Sequence, residues 1–188
     1  RLGGVVGSLL LLLATVVVTR TLLLRSSAAA FTPAPPRAVD EARVAEILGA
    51  AIRAETVSTQ AAEFAAPAFE QLHTLFGQSF PRTYATLHWQ RIGPGSLLFR
   101  WPGADATLPP VLLMAHQDVV PVTDGGQWAQ PPFSGNIVDG LVWGRGALDD
   151  KGPLVAILTA VESLLVQGFV PRRDLLFAFG HDEELGGD

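Results

Sequence analysis

The stretch that decides the fold reads LLMAHQD at residues 112–118, GRGALDDKG at 144–152 and FAFGHDEE at 177–184. In each segment, acidic or histidine side chains follow an apolar, strand-like run. Such runs are typical of buried parallel strands, and the ligands of open α/β sheets gather at the carboxyl ends of those strands. We therefore expect the three polar clusters to meet at one functional site.

Around these clusters the sequence predicts alternating helices and strands. One helix begins at a capping Asp40 and continues to about Ile52, and a second covers residues 61–76. Strands are predicted at residues 84–92, 97–101, 111–115 and 174–180, a hairpin at 136–144 and a helix at 153–167. This order predicts an α/β fold, a three-layer sandwich with a mixed, largely parallel sheet.

The composition narrows the kind of site that the clusters can form. The 188 residues carry a net charge of −5 without a basic stripe, so a nucleic-acid partner is not expected. The sequence contains no cysteine, which excludes thiolate ligands. A metal ion would therefore be bound by histidine and carboxylate side chains.

The N-terminus differs in character from the rest of the chain. Residues 2–19 are eighteen uncharged residues between Arg1 and Arg20, the length of a short membrane span or a long signal-peptide core. We predict a signal peptide or membrane anchor at residues 1–25, a linker rich in Ser, Ala and Pro at 26–38, and a folded domain at 39–188. Either alternative for the first segment predicts a protein that is secreted, otherwise extracytoplasmic, or anchored in a membrane.

The first cluster combines an imidazole with a carboxylate. Residues two apart on an extended segment point the same way, so His116 and Asp118 share a face. A carboxylate beside a metal-bound histidine fixes its tautomer, so Asp118 fits better as a partner of His116 than as a ligand. Alone, this motif is more typical of a solvated histidine at the end of a strand.

The other two clusters each contain adjacent acids. Asp149 and Asp150 precede a predicted helix, and one of them is enough to cap it. On an extended segment, Glu183 and Glu184 would point to opposite sides, so one could bind a metal ion while the other faces a bound water. A solvated acidic loop is the alternative. Because all three clusters follow apolar runs, we favour a metal site with His116, Asp149 and Glu184 as candidate ligands.

Several motifs together resemble a known family. The similarity lies in LMAHQDVVP at residues 113–121, Trp128 with PFSG at 132–135, Asp139-Gly140, GRGALDDK at 144–151 and HDEE at 181–184. These segments resemble the two-zinc metallopeptidase family of aminoacylase, glutamate carboxypeptidase and carboxypeptidase S. Within it they are most similar to the branch of Gly-X carboxypeptidase and the secreted N-fatty-acyl-amino-acid synthase/hydrolase. The resemblance extends from about residue 40 to the end.

The resemblance implies a role for each candidate residue. It implies that His116 binds one zinc ion, that Asp149 bridges two and that Glu184 binds the other. It further implies Glu183 as the general acid and base, Asp118 as the residue that orients His116, and a cis peptide bond after Asp149. The family's remaining ligands, a carboxylate and a distal histidine, and its inserted dimerisation domain have no counterpart in this sequence. We therefore interpret residues 39–188 as the N-terminal part of a zinc-hydrolase catalytic domain.

The activity that the resemblance implies is zinc-dependent hydrolysis of an amide bond. The expected substrates are N-acyl amino acids, or short peptides cleaved at the C-terminus, and the expected cofactor is two Zn²⁺ ions per complete site. A homodimer would form through the domain that is absent here. Two alternatives stay open: a catalytically inactive, membrane-tethered binding domain on the same fold, and a hydrolase with one metal ion.

Overall fold

The computed structural model describes residues 2–24, 38–61, 63–123 and 125–187. Contacts within the chain divide it into two units, Arg1–Ala38 and Val39–Asp188. Apart from Ala38, the predicted linker at residues 26–38 lies outside the described residues. The three-part division of the chain stays a prediction.

The described part of the first unit is a helix, α1 (Leu2–Leu23), followed by Leu24. Its side chains from Gly3 onward are exposed on all sides. By length and composition alone, Gly3–Leu23 could cross a membrane, and a signal sequence passes the same test. An N-terminal segment that acts as a signal or an anchor is compatible with this helix.

The second unit is built on a four-stranded mixed sheet. Its strands are β1 (His88–Ile92), β2 (Ser96–Trp101), β3 (Val111–His116) and β6 (Leu175–Gly180), arranged in the order β1-β2-β6-β3. β3 and β6 are parallel, whereas β1–β2 and β2–β6 are antiparallel. The mixed α/β sheet is confirmed, but its parallel share among the described strands is smaller than predicted. The short turn between β1 and β2 forces those strands to run in opposite directions.

A separate hairpin contains β4 (Ile137–Val138) and β5 (Leu141–Val142). Its turn residues, Asp139 and Gly140, have positive φ angles of 52° and 76°. Two such residues in succession suit the right-handed twist of a tight hairpin. The hairpin predicted around this dipeptide is therefore confirmed.

The described part of the second unit contains four α-helices: α2 (Glu41–Ile52), α3 (Ala66–Ser79), α4 (Pro81–Thr86) and α5 (Lys151–Val166). The predicted cap of α2 is present, because the Asp40 carboxylate accepts a hydrogen bond from the Arg43 amide at 3.0 Å. α3 begins later than predicted because Pro67, which lacks an N–H, occupies its first turn.

The strand predicted from residue 84 is wrong in its first part. Residues 81–86 form the short helix α4, and β1 begins only at His88. Two observations explain the helix: Pro81 lies in its first turn, and the Glu162 carboxylate of α5 accepts hydrogen bonds from the Arg82 and Thr83 amides at 3.0 and 2.8 Å. The cap comes from far along the chain, so the local sequence does not indicate it.

The core lies on one face of the sheet. Alternating side chains of β2 and β6 pack with apolar side chains from the helices: Leu97, Phe99, Trp101, Phe177 and Phe179 with Leu72, Phe76, Leu154 and Leu158. On the other face, Leu112 and Met114 of β3 are 51% and 69% exposed. The described core therefore accounts for two layers of the predicted three-layer sandwich.

Candidate metal centre

Three side chains from the three clusters converge. His116, Asp149 and Glu184 each offer one ligand atom, and these atoms lie within 4.8 Å of one another. His116 ends β3 and pairs with Gly180 at the end of the parallel strand β6, so the segments that follow both strands leave the sheet at the same edge. Asp149 reaches this edge just before α5. The three predicted ligands are therefore brought together.

The His116 ring is held with one nitrogen toward this cluster. Its Nδ1 lies 3.1 Å from the carbonyl oxygen of Asp118 and 3.3 Å from Asp118 Oδ1. Its Nε2 lies 2.9 Å from Asp149 Oδ1. When the Nδ1 proton is donated to Asp118 and Nε2 carries none, the Nε2 lone pair is available to a cation held beside the Asp149 and Glu184 carboxylates. This tautomer is the one that a metal ligand needs.

Asp118 connects the first cluster with the third. Its side chain is fully buried, and its carboxylate also accepts hydrogen bonds from the Glu183 and Glu184 amides at 3.2 and 3.1 Å. These bonds hold Glu183–Leu185 in a single 3₁₀ turn. The expectation of an extended segment, with adjacent acids on opposite sides, is therefore wrong. One buried carboxylate instead sets the backbone position of both glutamates.

Glu183 borders the cluster. Its Oε2 lies 3.7 Å from His116 Nε2, and its side chain is 63% exposed. It is not one of the three residues whose ligand atoms converge. A carboxylate in this position can exchange protons with solvent while it faces the cluster.

The side chain of Asp150 serves the site rather than the helix, so the expectation that it caps α5 is wrong. Asp150 occupies the N-cap position but makes no side-chain capping bond. Its Oδ2 instead accepts a hydrogen bond from the His116 amide at 3.2 Å. The Asp149–Asp150 peptide bond is cis, as the family resemblance implies.

The site gathers negative charge. Burial, followed by the charge of Asp149, raises the pKa of Glu184, and burial also raises the pKa of Asp150. Burial lowers the pKa of His116, but the hydrogen bond to Asp149 and the charge of Asp118 outweigh it, so that pKa is raised. One imidazole nitrogen and two carboxylates form a donor set that suits Zn²⁺. The residues present therefore fit a divalent cation.

Lys151 is a residue at the site that the sequence did not indicate. Its side chain is fully buried, and its Nζ donates hydrogen bonds to the carbonyl oxygens of Ala51 and Ala54 at 2.9 and 2.6 Å. Burial lowers its pKa to about 7, against the opposing charges of Asp118 and Glu55. Lys151 thus ties the segment that carries Asp149 to the end of α2. A lysine beside two acids gives no signal that it will be buried.

Comparison with known proteins identifies sequence relatives of this chain. The model of peptidase family M20/M25/M40 matches residues 112–188, which contain all five candidate site residues. A carboxypeptidase S-like protein of Dictyostelium discoideum is 49% identical over 122 residues, 65% of this chain and 24% of the relative. The N-fatty-acyl-amino acid synthase/hydrolase of Bos taurus is 42% identical over 151 residues, 78% of this chain and 30% of the relative. This chain spans about a quarter of the length of these relatives.

Solved structures show the same fold. Human carnosine dipeptidase 1 superposes with a TM-score of 0.63 at 22% identity, over 77% of this chain and 33% of the dipeptidase. An M20 family metallo-carboxypeptidase from Sulfolobus solfataricus superposes with a TM-score of 0.59 at 22% identity, over 79% of this chain and 32% of the other. The α/β fold and the family resemblance predicted from the motifs are confirmed.

Proposed function

We propose that this chain, which carries a domain of the metallopeptidase family M20/M25/M40 over residues 112–188, contributes the metal site of a zinc-dependent amidohydrolase. Its substrates would be N-acyl amino acids, or short peptides cleaved at the C-terminal bond. The observation that carries the proposal is the convergence of the His116, Asp149 and Glu184 ligand atoms within 4.8 Å. Carboxypeptidase S-like and N-fatty-acyl-amino acid synthase/hydrolase relatives support amide hydrolysis as the reaction.

Three side chains would hold zinc. His116 would bind through Nε2, because its Nδ1 is engaged by Asp118. Glu184 and Asp149 would bind through carboxylate oxygens. The Asp149 side chain is 80% exposed, so its second oxygen is open to another ion, which supports a bridging role between two zinc ions. Zinc at this position supplies a Lewis acid that polarises the scissile carbonyl and acidifies water.

Glu183 would carry the proton. Its carboxylate faces His116 at 3.7 Å and is open to solvent, and its backbone is fixed by Asp118. From there it would accept a proton from the attacking water and deliver that proton to the leaving amine. Asp118 acts on the reaction only through His116 and the two glutamates, so it is a positioning residue.

The role of Glu183 is tested by Glu183→Gln in the full-length protein. We expect hydrolysis of a panel of N-acyl amino acids and short peptides to be lost while the zinc content, measured by elemental analysis, is unchanged. Glu46→Gln is the matched control, because Glu46 is an exposed glutamate of α2. Retained turnover in Glu183→Gln would refute the role of Glu183.

The number of zinc ions that the protein binds distinguishes the two-zinc hydrolase from the one-metal hydrolase and the inactive binding domain. We expect two zinc ions per full-length chain at saturation, and loss of binding and turnover in His116→Ala. Saturation at one ion would favour the one-metal hydrolase. A wild-type protein that binds no zinc and hydrolyses none of these substrates would favour the inactive binding domain. Similarity to carboxypeptidase S-like and synthase/hydrolase proteins does not support that alternative.

We also propose that α1 directs the chain to the secretory route or anchors it in a membrane. The support is an apolar helix, Gly3–Leu23, long enough to cross a membrane. N-terminal sequencing of the mature protein tests cleavage, and alkaline extraction of membranes tests anchoring. A protein that keeps α1 and is released by mild washing would contradict both roles.

A further inference from the structure

Gln117 lies between two residues of the candidate site, but its side chain is engaged elsewhere. It is fully buried, and its Oε1 lies 2.7 Å from Nε2 of His73 on α3. Its Nε2 donates hydrogen bonds to the carbonyl oxygens of Gly95 and Phe179, both at 2.9 Å. Every polar atom of this amide therefore has a protein partner, as a buried amide requires.

The Gln117 amide joins the two segments that supply ligands. Its own residue follows His116, whereas Phe179 and Gly180 end the strand that leads to Glu184. The Gln117 backbone amide also donates to the Gly180 carbonyl oxygen, at 2.8 Å. A rotation of the Gln117 side chain would leave buried carbonyl groups without donors and loosen this link. The Gln117 amide is therefore one of the contacts that hold the His116 segment beside the strand leading to Glu184.

His73 fixes that orientation, and Arg91 fixes the tautomer of His73. The Arg91 guanidinium lies 3.0 Å from His73 Nδ1 and can only donate, so Nδ1 must accept. The ring proton then sits on Nε2 and is donated to Gln117 Oε1. An ion pair with Glu70 holds Arg91 in place. Arg91 therefore donates to His73, His73 donates to Gln117, and Gln117 donates to the carbonyl oxygen of Phe179. No two donors face each other along this chain of hydrogen bonds.

We propose that His73 is a positioning residue of the metal site, which holds the His116 and Glu184 segments at ligating distance through the Gln117 amide. This inference rests on the proposed function, because it concerns the same site. It assigns a role to His73, which lies far from the candidate ligands in the sequence and is not itself one of them. Partners of this kind affect metal affinity because they orient groups that touch the metal.

The test is zinc affinity, measured on the metal-free full-length protein by competition with a chromophoric chelator. His73→Leu removes the donor, and we expect the Kd for zinc to rise about 10-fold, the lower end of the effect of losing a partner that bonds directly to a metal ligand. His73→Gln keeps a donor and an acceptor and should restore most of the affinity. His88→Leu is the matched control, because His88 is an exposed histidine of β1, and it should leave the Kd unchanged.

A merely structural role gives a different result. His73→Leu would then lower the unfolding midpoint without a change in zinc Kd, and that outcome would overturn the proposal. If His73→Leu fails to fold, Arg91→Leu decides, because Arg91 is partly exposed and its loss frees the His73 tautomer. An unchanged Kd in Arg91→Leu would also overturn the proposal. A wild-type protein that binds no zinc would instead reject the proposed function itself.

Discussion

The contact between Glu162 and α4 gives the most quantitative prediction. The Glu162 carboxylate of α5 accepts three hydrogen bonds: from the Arg82 amide at 3.0 Å, from the Thr83 amide at 2.8 Å and from Thr83 Oγ1 at 2.7 Å. The two amides belong to the first turn of α4, where a helix has no internal acceptors. Glu162→Ala removes all three bonds at once.

The loss of stability in Glu162→Ala depends on which of the three donors can bond to water instead. Arg82 is exposed, so its amide can bond to water after the change, but Thr83 is only 1% exposed. Two donors on Thr83 would lose their partner, and each unsatisfied buried group costs about 1–3 kcal/mol, so we expect the free energy of unfolding to fall by about 2–6 kcal/mol. Glu162→Gln keeps one acceptor oxygen and should cost about half of that.

Thermal and urea unfolding of the full-length protein provide the assay. At about 2–4 °C per kcal/mol, Glu162→Ala should lower the Tm of the transition that contains this domain by about 4–24 °C. Thr83→Val in a double-mutant cycle should show a coupling energy of about 1 kcal/mol or more. Glu46→Ala, on the exposed surface of α2, is the control. A loss of less than about 0.5 kcal/mol for Glu162→Ala would refute the reasoning.

Two further predictions follow from other contacts. Burial lowers the pKa of His73, so His73 binds more protons in the unfolded chain near its usual pKa of about 6.5, and its contribution to the stability of the metal-free protein should fall as the pH drops through that value. His73→Gln should flatten this dependence in urea unfolding between pH 5 and 7, and an identical slope in both proteins would contradict it. A Cβ at position 135 would overlap with the Gly49 backbone, whereas one at position 140 meets open space, and both positions have positive φ. Gly140→Ala should therefore lower the free energy of unfolding by about 1–2 kcal/mol, through its positive φ alone. Gly135→Ala should lower it by about 1–3 kcal/mol more, because of the overlap with Gly49. Equal losses for the two variants in urea unfolding would count against this overlap.

The elements that the sequence predicted are those with local signals. β3 and β6 are apolar runs that end at polar residues, and the Asp139-Gly140 hairpin has its turn dipeptide. Asp40 caps α2, the helix that directly follows it in the chain. The meeting of His116 with Glu184 followed from one general rule, that the ends of parallel strands share an edge.

The features that the sequence missed depend on distant contacts. Helix α4 requires a cap from Glu162, and the turn at Glu183 requires the buried carboxylate of Asp118. Lys151 is buried because two carbonyl groups at the end of α2 receive its ammonium group. The role of His73 has no local signal either, since nothing near it in the sequence points to Gln117. In each case the partner is more than 40 residues away, and no local pattern records it.

The position of β3 has a consequence for handling the protein. Among the described strands β3 lies at the edge of the sheet, and its open face presents Leu112 and Met114. An uncovered, apolar edge strand is a template for pairing with another chain. His116 ends this same strand, so a strand that pairs with β3 would run past the backbone of a candidate metal ligand. If the proposed zinc site is correct, self-association of residues 39–188 should disturb it, and colloidal stability and zinc occupancy should rise and fall together.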